Sequence, residues 1–196
     1  MIAVVVLAGG EGRRIGGGKP LRLLGGRSLI ERALEQARGW SDLVAVSVRH
    51  EGQAGRLGAP QIVDTQDEGP IGGLASALGF AGDSGAETLL TIACDMPMLP
   101  GDLAQRLAQA LRPELGAAIA SSGRALHPVC GLWRTTVIDA LPDYRASGRS
   151  SLWGFAEHVG HAIVEWPTQP YDPFLNINRP DELGAAERLL ETIRSR

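Results

Sequence analysis

At 196 residues the chain is long enough for one domain with a substantial core, and its 19 lysines and arginines against 22 acidic residues give a net charge of −3. This balance gives no electrostatic case for nucleic acid as a bulk partner, although a small anion needs only local positive charge. Cys94 and Cys130 lack metal-ligand spacing and read as reduced core thiols. No basic leader precedes the first apolar run, and no stretch of about 18 apolar residues occurs, so a cytoplasmic protein without a membrane partner is expected.

The first predicted element is a strand over Ile2–Leu7, a short β-branched run closed by glycine, as suits a strand buried on both faces. It feeds a loop with Gly9, Gly10, Gly12, Gly16, Gly17 and Gly18 and three cations, Arg13, Arg14 and Lys19. Glycines let backbone N–H groups approach phosphate oxygens. Arginine offers a planar fork, and lysine a point charge that can follow charge developing on a transferred phosphoryl group. A solvated surface loop is the plain alternative, but a position directly after a buried strand favours phosphate binding. Neither GxxxxGK[ST] nor GxGxxG is present: Pro20 follows Lys19, and Ile15 stands where the last glycine is needed.

Ser28 and Glu31 have capping-box spacing before a helix with Leu29, Ile30, Ala33, Leu34 and Ala37 on one face. Strands over 43–48 and Gln61–Val63 follow, an alternation that predicts a parallel sheet. Asp64 comes directly after, and 69–78 opens a helix with Ile71, Leu74, Ala75 and Leu78 inward. Asp64 reads either as a solvated turn residue or as an acceptor for the N1–H and 2-amino donors of guanine. A central strand over 87–94 ends at Asp95, on the edge that faces the glycine loop, and carboxylate oxygen is the hard ligand Mg²⁺ prefers. Capping the helix predicted over 102–111 suits Asp102 better.

Further on come a small-residue strand over 116–120 and an extended segment from His127-Pro128 that is apolar from Val129. Helices over 135–141 and 150–158 flank a polar, basic loop of Gly148, Arg149, Ser150 and Ser151, and a strand covers His161–Trp166. His127 by itself reads as a hydrogen-bonded structural residue or as a substrate contact. Asn176 and Asn178 share one side of an extended segment, or serve Asx turns before a last helix that buries Leu183, Ala186, Leu189, Leu190 and Ile193.

LAGG at 7–10 with Arg14 and Lys19, Asp64 with GPIGG at 69–73, CDMPML at 94–99, HPVCGLW at 127–133 and FLNINRPDEL at 174–183 resemble, in order, the motifs of nucleotidyltransferases. More narrowly they resemble those of the molybdenum cofactor guanylyltransferases. The resemblance spans the chain. It implies an α/β fold with three α/β/α layers and a mostly parallel, Rossmann-like sheet, as one domain over 1–196 with a nucleotide-binding half (1–100) and an acceptor half (101–196). It implies transfer of GMP from GTP to molybdopterin with release of pyrophosphate. Leu7, Ala8, Gly9, Gly10, Lys19, Asp64 and Asp95 are then nucleotide-binding, Arg14, Lys19 and Asp95 catalytic, Asp95 the Mg²⁺ ligand, and His127, Asn176 and Asn178 acceptor-side residues. GTP and molybdopterin are the implied partners, with acceptor molybdoenzymes or their chaperones beyond them. Departures are visible too. Gly18 stands where that subfamily carries aspartate, SVRH at 47–50 lacks its asparagine, and Lys19-Pro20 looks more like sugar-phosphate nucleotidyltransferases. A sugar-phosphate or molybdopterin cytidylyl transferase, or a non-catalytic nucleotide-binding relative, are the alternatives these departures leave.

Overall fold

The computed structural model describes residues 1–10, 17–64 and 69–194. The chain runs through β1 (Ile2–Leu7), β2 (Leu23–Leu24), β3 (Arg27–Ser28), α1 (Leu29–Arg38), β4 (Val44–Val48), β5 (Gln61–Val63), α2 (Pro70–Asp83) and β6 (Thr88–Ala93). It continues through α3 (Leu103–Ala110), β7 (Ala117–Ser122), β8 (Ala125–Arg134), α4 (Leu141–Ala146), α5 (Leu152–Val159), β9 (His161–Trp166) and α6 (Pro180–Arg194).

Seven of these strands form one sheet in the order β5-β4-β1-β6-β8-β7-β9. The central strand explains the layering. Val4 and Val6 of β1 enter one hydrophobic cluster with Ile30 and Leu34 of α1 and Leu103 and Leu107 of α3. Ala3 and Val5 enter a second, on the opposite face, with Ile71, Leu74 and Leu78 of α2 and Phe155 of α5. Both faces of β1 are therefore dry, which is why the run carries no polar residue. Each fully buried leucine or isoleucine contributes about 1.5–3 kcal/mol of hydrophobic free energy.

Local chemistry agrees with the folded chain at several points. The Ser28 hydroxyl accepts from the Glu31 N–H at 3.3 Å while the Glu31 carboxylate accepts from the Ser28 N–H at 2.8 Å, completing the capping box of α1. Gly25 and Gly26, both at positive φ, turn the short β2–β3 hairpin, an element absent from the sequence-based expectation although two consecutive glycines are its usual signal.

The departures have physical causes. The sheet is parallel except for β8, which pairs antiparallel with both β6 and β7 because a tight turn at Gly123-Arg124 joins it directly to β7. Thr135–Ala140 is a 3-10 helix rather than an α-helix, in keeping with its β-branched run Thr135, Thr136, Val137 and Ile138; the α-helical segment is α4, where Pro142 sits in the first turn. Asp102 occupies the N-cap position of α3, but its side chain does not cap: Oδ1 accepts from the Trp166 indole N–H at 2.9 Å. Ile193, expected on the buried face of α6, is 37% exposed, whereas Ala186 is fully buried and Leu183, Leu189 and Leu190 partly so.

Candidate active site

Register brings the predicted residues to one rim. Leu7 at the end of β1 lies opposite Ser47 on β4 and Ala93 on β6, and Val48 lies opposite Val63 on β5. The residues just past these strand ends, Gly9 and Gly10, Arg49, Asp64 and Asp95, therefore share one edge of the sheet. Because β8 runs the other way, its first half arrives at that edge instead. A cavity of about 630 Å³ opens there, walled by Gly9, Gly10, Arg49 and Asp64 at one end and by His127, Pro128 and Trp153 at the other. The strand order places β6, and hence Asp95, between the two ends. Ligand crevices at the carboxyl ends of parallel strands, where connections diverge to opposite sides, are the general expectation for such sheets.

In the middle of this cavity the Lys19 ammonium donates to the Asp95 carboxylate and, at 2.6 Å, to Asn178 Oδ1. Lys19 is only 8% exposed, on a 3-10 turn (Lys19–Leu21) whose preceding Gly18 has φ of 58°. Gly18 takes this left-handed conformation without the strain that most side chains would meet there. Asn178 reaches Lys19 because Ile177 pins its segment. The Ile177 N–H donates to the Asp95 carbonyl at 2.9 Å, and its side chain is fully buried with Leu24, Leu29, Met98 and Ala186. Strand-like alternation then turns Asn176 into the cavity wall and Asn178 toward Lys19. The Glu182 carboxylate accepts the N–H groups of Asn178 at 2.6 Å and Arg179 at 3.0 Å, and these bonds hold its carboxyl below the usual range.

The first end is built from backbone and glycine. A Cβ on Gly9 would come within 3.2 Å of Arg49 Cγ, while one on Gly10 would meet nothing within 4 Å among the described residues. Gly69, with φ of 67°, lets the chain turn sharply into α2, and Gly73 on α2 lies open to the cavity. The Asp64 N–H donates to the Val48 carbonyl at 2.7 Å, which extends the β4–β5 ladder and holds Asp64 at the rim. Leu7 lines the cavity, but Ala8 does not: it is 1% exposed in the first cluster, and its N–H donates to the Ser47 carbonyl at 2.8 Å. Arg14 lies outside the described residues. Arg49, which sequence reasoning did not single out, adds a cation here.

The second end is built from side chains. Pairing between β7 and β8 shifts after Ile119–Gly131 and resumes at Ala120–His127, so Pro128, which has no N–H to give a ladder, sits in the irregular stretch. His127 is half-buried, stacked on Phe174 with centroids 4.7 Å apart and planes 10° apart. Its Nε2 is 2.8 Å from Ser122 Oγ, which donates to Asp172 Oδ1 at 2.8 Å. Burial pulls the imidazole pKa below its ordinary value, with Asp172 opposing, so the neutral ring dominates at neutral pH. Trp153, at the start of α5, lines the cavity, and its ring packs edge-on to His161 with centroids 4.6 Å apart. Cys94 and Cys130 are buried free thiols with pKa values pushed up to about 12 by that burial, which makes them packing groups rather than nucleophiles.

The model of the MobA-like NTP transferase domain matches residues 4–162. A molybdenum cofactor guanylyltransferase of Cereibacter sphaeroides is 38% identical over 188 residues, 95% of either chain. One of Mesorhizobium japonicum is 37% identical over 204 residues, 99% of this chain and 98% of its own. Among solved structures, molybdopterin-guanine dinucleotide biosynthesis protein A from Archaeoglobus fulgidus superposes with a TM-score of 0.76 at 27% identity, covering 98% of this chain and all of its own. A 4-diphosphocytidyl-2C-methyl-D-erythritol synthase from Anaerococcus prevotii gives 0.75 at 15% identity over 97% and 96%, a likeness of fold alone. With the domain matched over most of its length and curated relatives matched nearly end to end, the chain belongs to the MobA-like NTP transferases, a family of nucleotidyltransferases.

Proposed function

We propose that the protein transfers GMP from GTP to molybdopterin, forming the guanine dinucleotide and releasing pyrophosphate, with the glycine-lined end of the cavity taking the nucleotide and the His127 end the acceptor. The observation that carries this reading is the Lys19–Asp95–Asn178 cluster, which stands between the two ends. An acceptor phosphate oxygen attacks the α-phosphorus, the bond to the bridging oxygen breaks, and pyrophosphate leaves. The attacking phosphate is already ionised at neutral pH, so the reaction needs alignment and charge stabilisation more than a general base.

The residues supply both. Of the three ammonium protons of Lys19, two are directed to Asp95 and Asn178, and the third is left for a phosphate oxygen. The pinned Asn176–Asn178 segment holds acceptor and lysine in register. Asp64 accepts from guanine's two adjacent donors, whereas cytosine and adenine offer a single exocyclic donor beside ring-nitrogen lone pairs. An acceptor facing an acceptor in a desolvated site costs about 1–3 kcal/mol.

A divalent cation fits the same place. The described residues hold no cluster of three or more acidic, histidine or cysteine side chains. A single carboxylate, Asp95, at the reacting phosphates is the donor set of an ion that keeps its waters and completes its shell on substrate, as Mg²⁺ does. Bound on Asp95, it would neutralise charge at the reacting phosphoryl group.

The test is pyrophosphate release from each of the four NTPs with and without molybdopterin. GTP with molybdopterin should give turnover; equal use of GTP and CTP sinks the guanylyl reading, and no turnover with any nucleotide sinks the enzymatic one.

A further inference from the structure

We propose that Ser122 and Asp172 are positioning residues that fix His127 as a hydrogen-bond acceptor in the cavity, its Nδ1 taking an N–H donor of the pterin ring of the acceptor substrate. This rests on the assignment of the His127 end to the acceptor.

The count of available protons decides the tautomer. Ser122 is 1% exposed and its hydroxyl carries a single hydrogen. Asp172 Oδ1 already accepts the Phe174 N–H at 2.9 Å, and an ionised carboxylate can only accept, so the Ser122 hydrogen goes to Asp172. Ser122 Oγ then has only lone pairs to offer Nε2 at 2.8 Å, which requires Nε2 to carry a hydrogen. In a neutral imidazole Nδ1 is then bare. No side chain or backbone group among the described residues is bonded to it, and His127 forms part of the cavity wall. The stack on Phe174 sets the ring plane, and the Phe174 N–H bond to Asp172 ties that stack to the same hydrogen-bond chain.

The arrangement selects a chemistry. A histidine meant for the acceptor's phosphate would be held ready to donate, whereas this one is held ready to accept. A pterin ring offers amide, amine and amino N–H groups along its edge, which a bare ring nitrogen can receive. The serine and the aspartate come from segments 50 residues apart, so only the folded chain makes the relay.

Two measurements test this. Long-range nitrogen–proton NMR of the His127 ring at neutral pH should show the Nε2–H tautomer; the Nδ1–H tautomer or an imidazolium overturns the inference, whatever the enzyme turns over. In steady-state assays, Ser122→Ala should raise KM for molybdopterin roughly tenfold while KM for GTP stays within about twofold, and Ser122→Thr should restore it. His127→Asn, which keeps an oxygen acceptor near the Nδ1 position, should retain more molybdopterin affinity than His127→Phe, which keeps only the stack. Equal affinity in His127→Phe and wild type, or a Ser122→Ala defect shared equally by GTP, overturns the proposal. Wild-type protein that releases no pyrophosphate from GTP and molybdopterin would instead overturn the function and, with it, the inference that depends on it.

Discussion

At one end of the cavity the chain presents backbone and glycine at the ends of β1, β4 and β5, and at the other it presents aromatic and hydrogen-bonded side chains gathered from β7, β8, α5 and the segment before α6. The contrast suits the two substrates of such a reaction. Phosphates are met well by N–H groups that cost no side-chain entropy, while a flat heterocycle is met by planes and by donors and acceptors of fixed direction. Lys19 and Asp95 lie between the two, joined to the second end by Asn178 and by the Ile177 bond to the Asp95 carbonyl.

That comparison breaks most sharply at its centre. Asp95→Asn weakens the carboxylate proposed to hold the divalent cation, which is also the partner of Lys19, with little change of size, and turnover should fall by at least about a hundredfold with circular dichroism unchanged. Near wild-type turnover at saturating Mg²⁺ would show that the centre lies elsewhere. Lys19→Ala should come next, with kcat lowered by roughly tenfold to a hundredfold and a smaller change in GTP affinity, because its charge is needed most where charge develops. A rise in KM alone would make it a ground-state binder.

A smaller effect sharpens the first end against the second. Asp64→Ala should reduce the kcat/KM preference for GTP over CTP by roughly tenfold, without changing KM for molybdopterin. An unchanged preference removes Asp64 from base recognition. The smallest expected effect is a pH dependence at the joint between the ends. Because the folded-state pKa of Glu182 lies below its ordinary value of 4.5, its contribution to stability is full above that value and is lost as the pH falls through the lowered one. Thermal unfolding of Glu182→Gln should therefore vary less with pH than that of wild type over about pH 6 to pH 3. Parallel curves would show that the bonds to Asn178 and Arg179 add nothing to the fold.

Elements whose signals are local were legible in the sequence. Ile2–Leu7, Gln61–Val63 and His161–Trp166 appear with the boundaries read from their apolar and β-branched runs, and the Ser28–Glu31 capping box appears where its spacing places it. Asp64 and Asp95 could be placed at the cavity rim because Asp64 directly follows β5 and Asp95 lies two residues beyond β6, and parallel strands deliver the residues at their carboxyl ends to a common edge. The second end was less legible. His127 and the two asparagines could be singled out, but nothing local in the sequence announces that Ser122 and Asp172 meet His127, that Arg49 and Trp153 face the cavity, or that Asp102 prefers Trp166 to its own helix.

The alternation of elements, the dry central strand, the glycine-rich loop and the carboxylates at strand ends are all written in the order of residues, because periodicity, capping and turn chemistry act over a few neighbouring positions. Only packing in three dimensions set the pairing of Lys19 with Asp95 and Asn178 and the meeting of Ser122 with Asp172. These depend on which buried polar groups find each other across 50 to 159 residues of chain. That choice is made by the packing of Ile177 and Phe174 into the core, since a polar group buried beside them must take whatever partner the packed neighbours bring within reach.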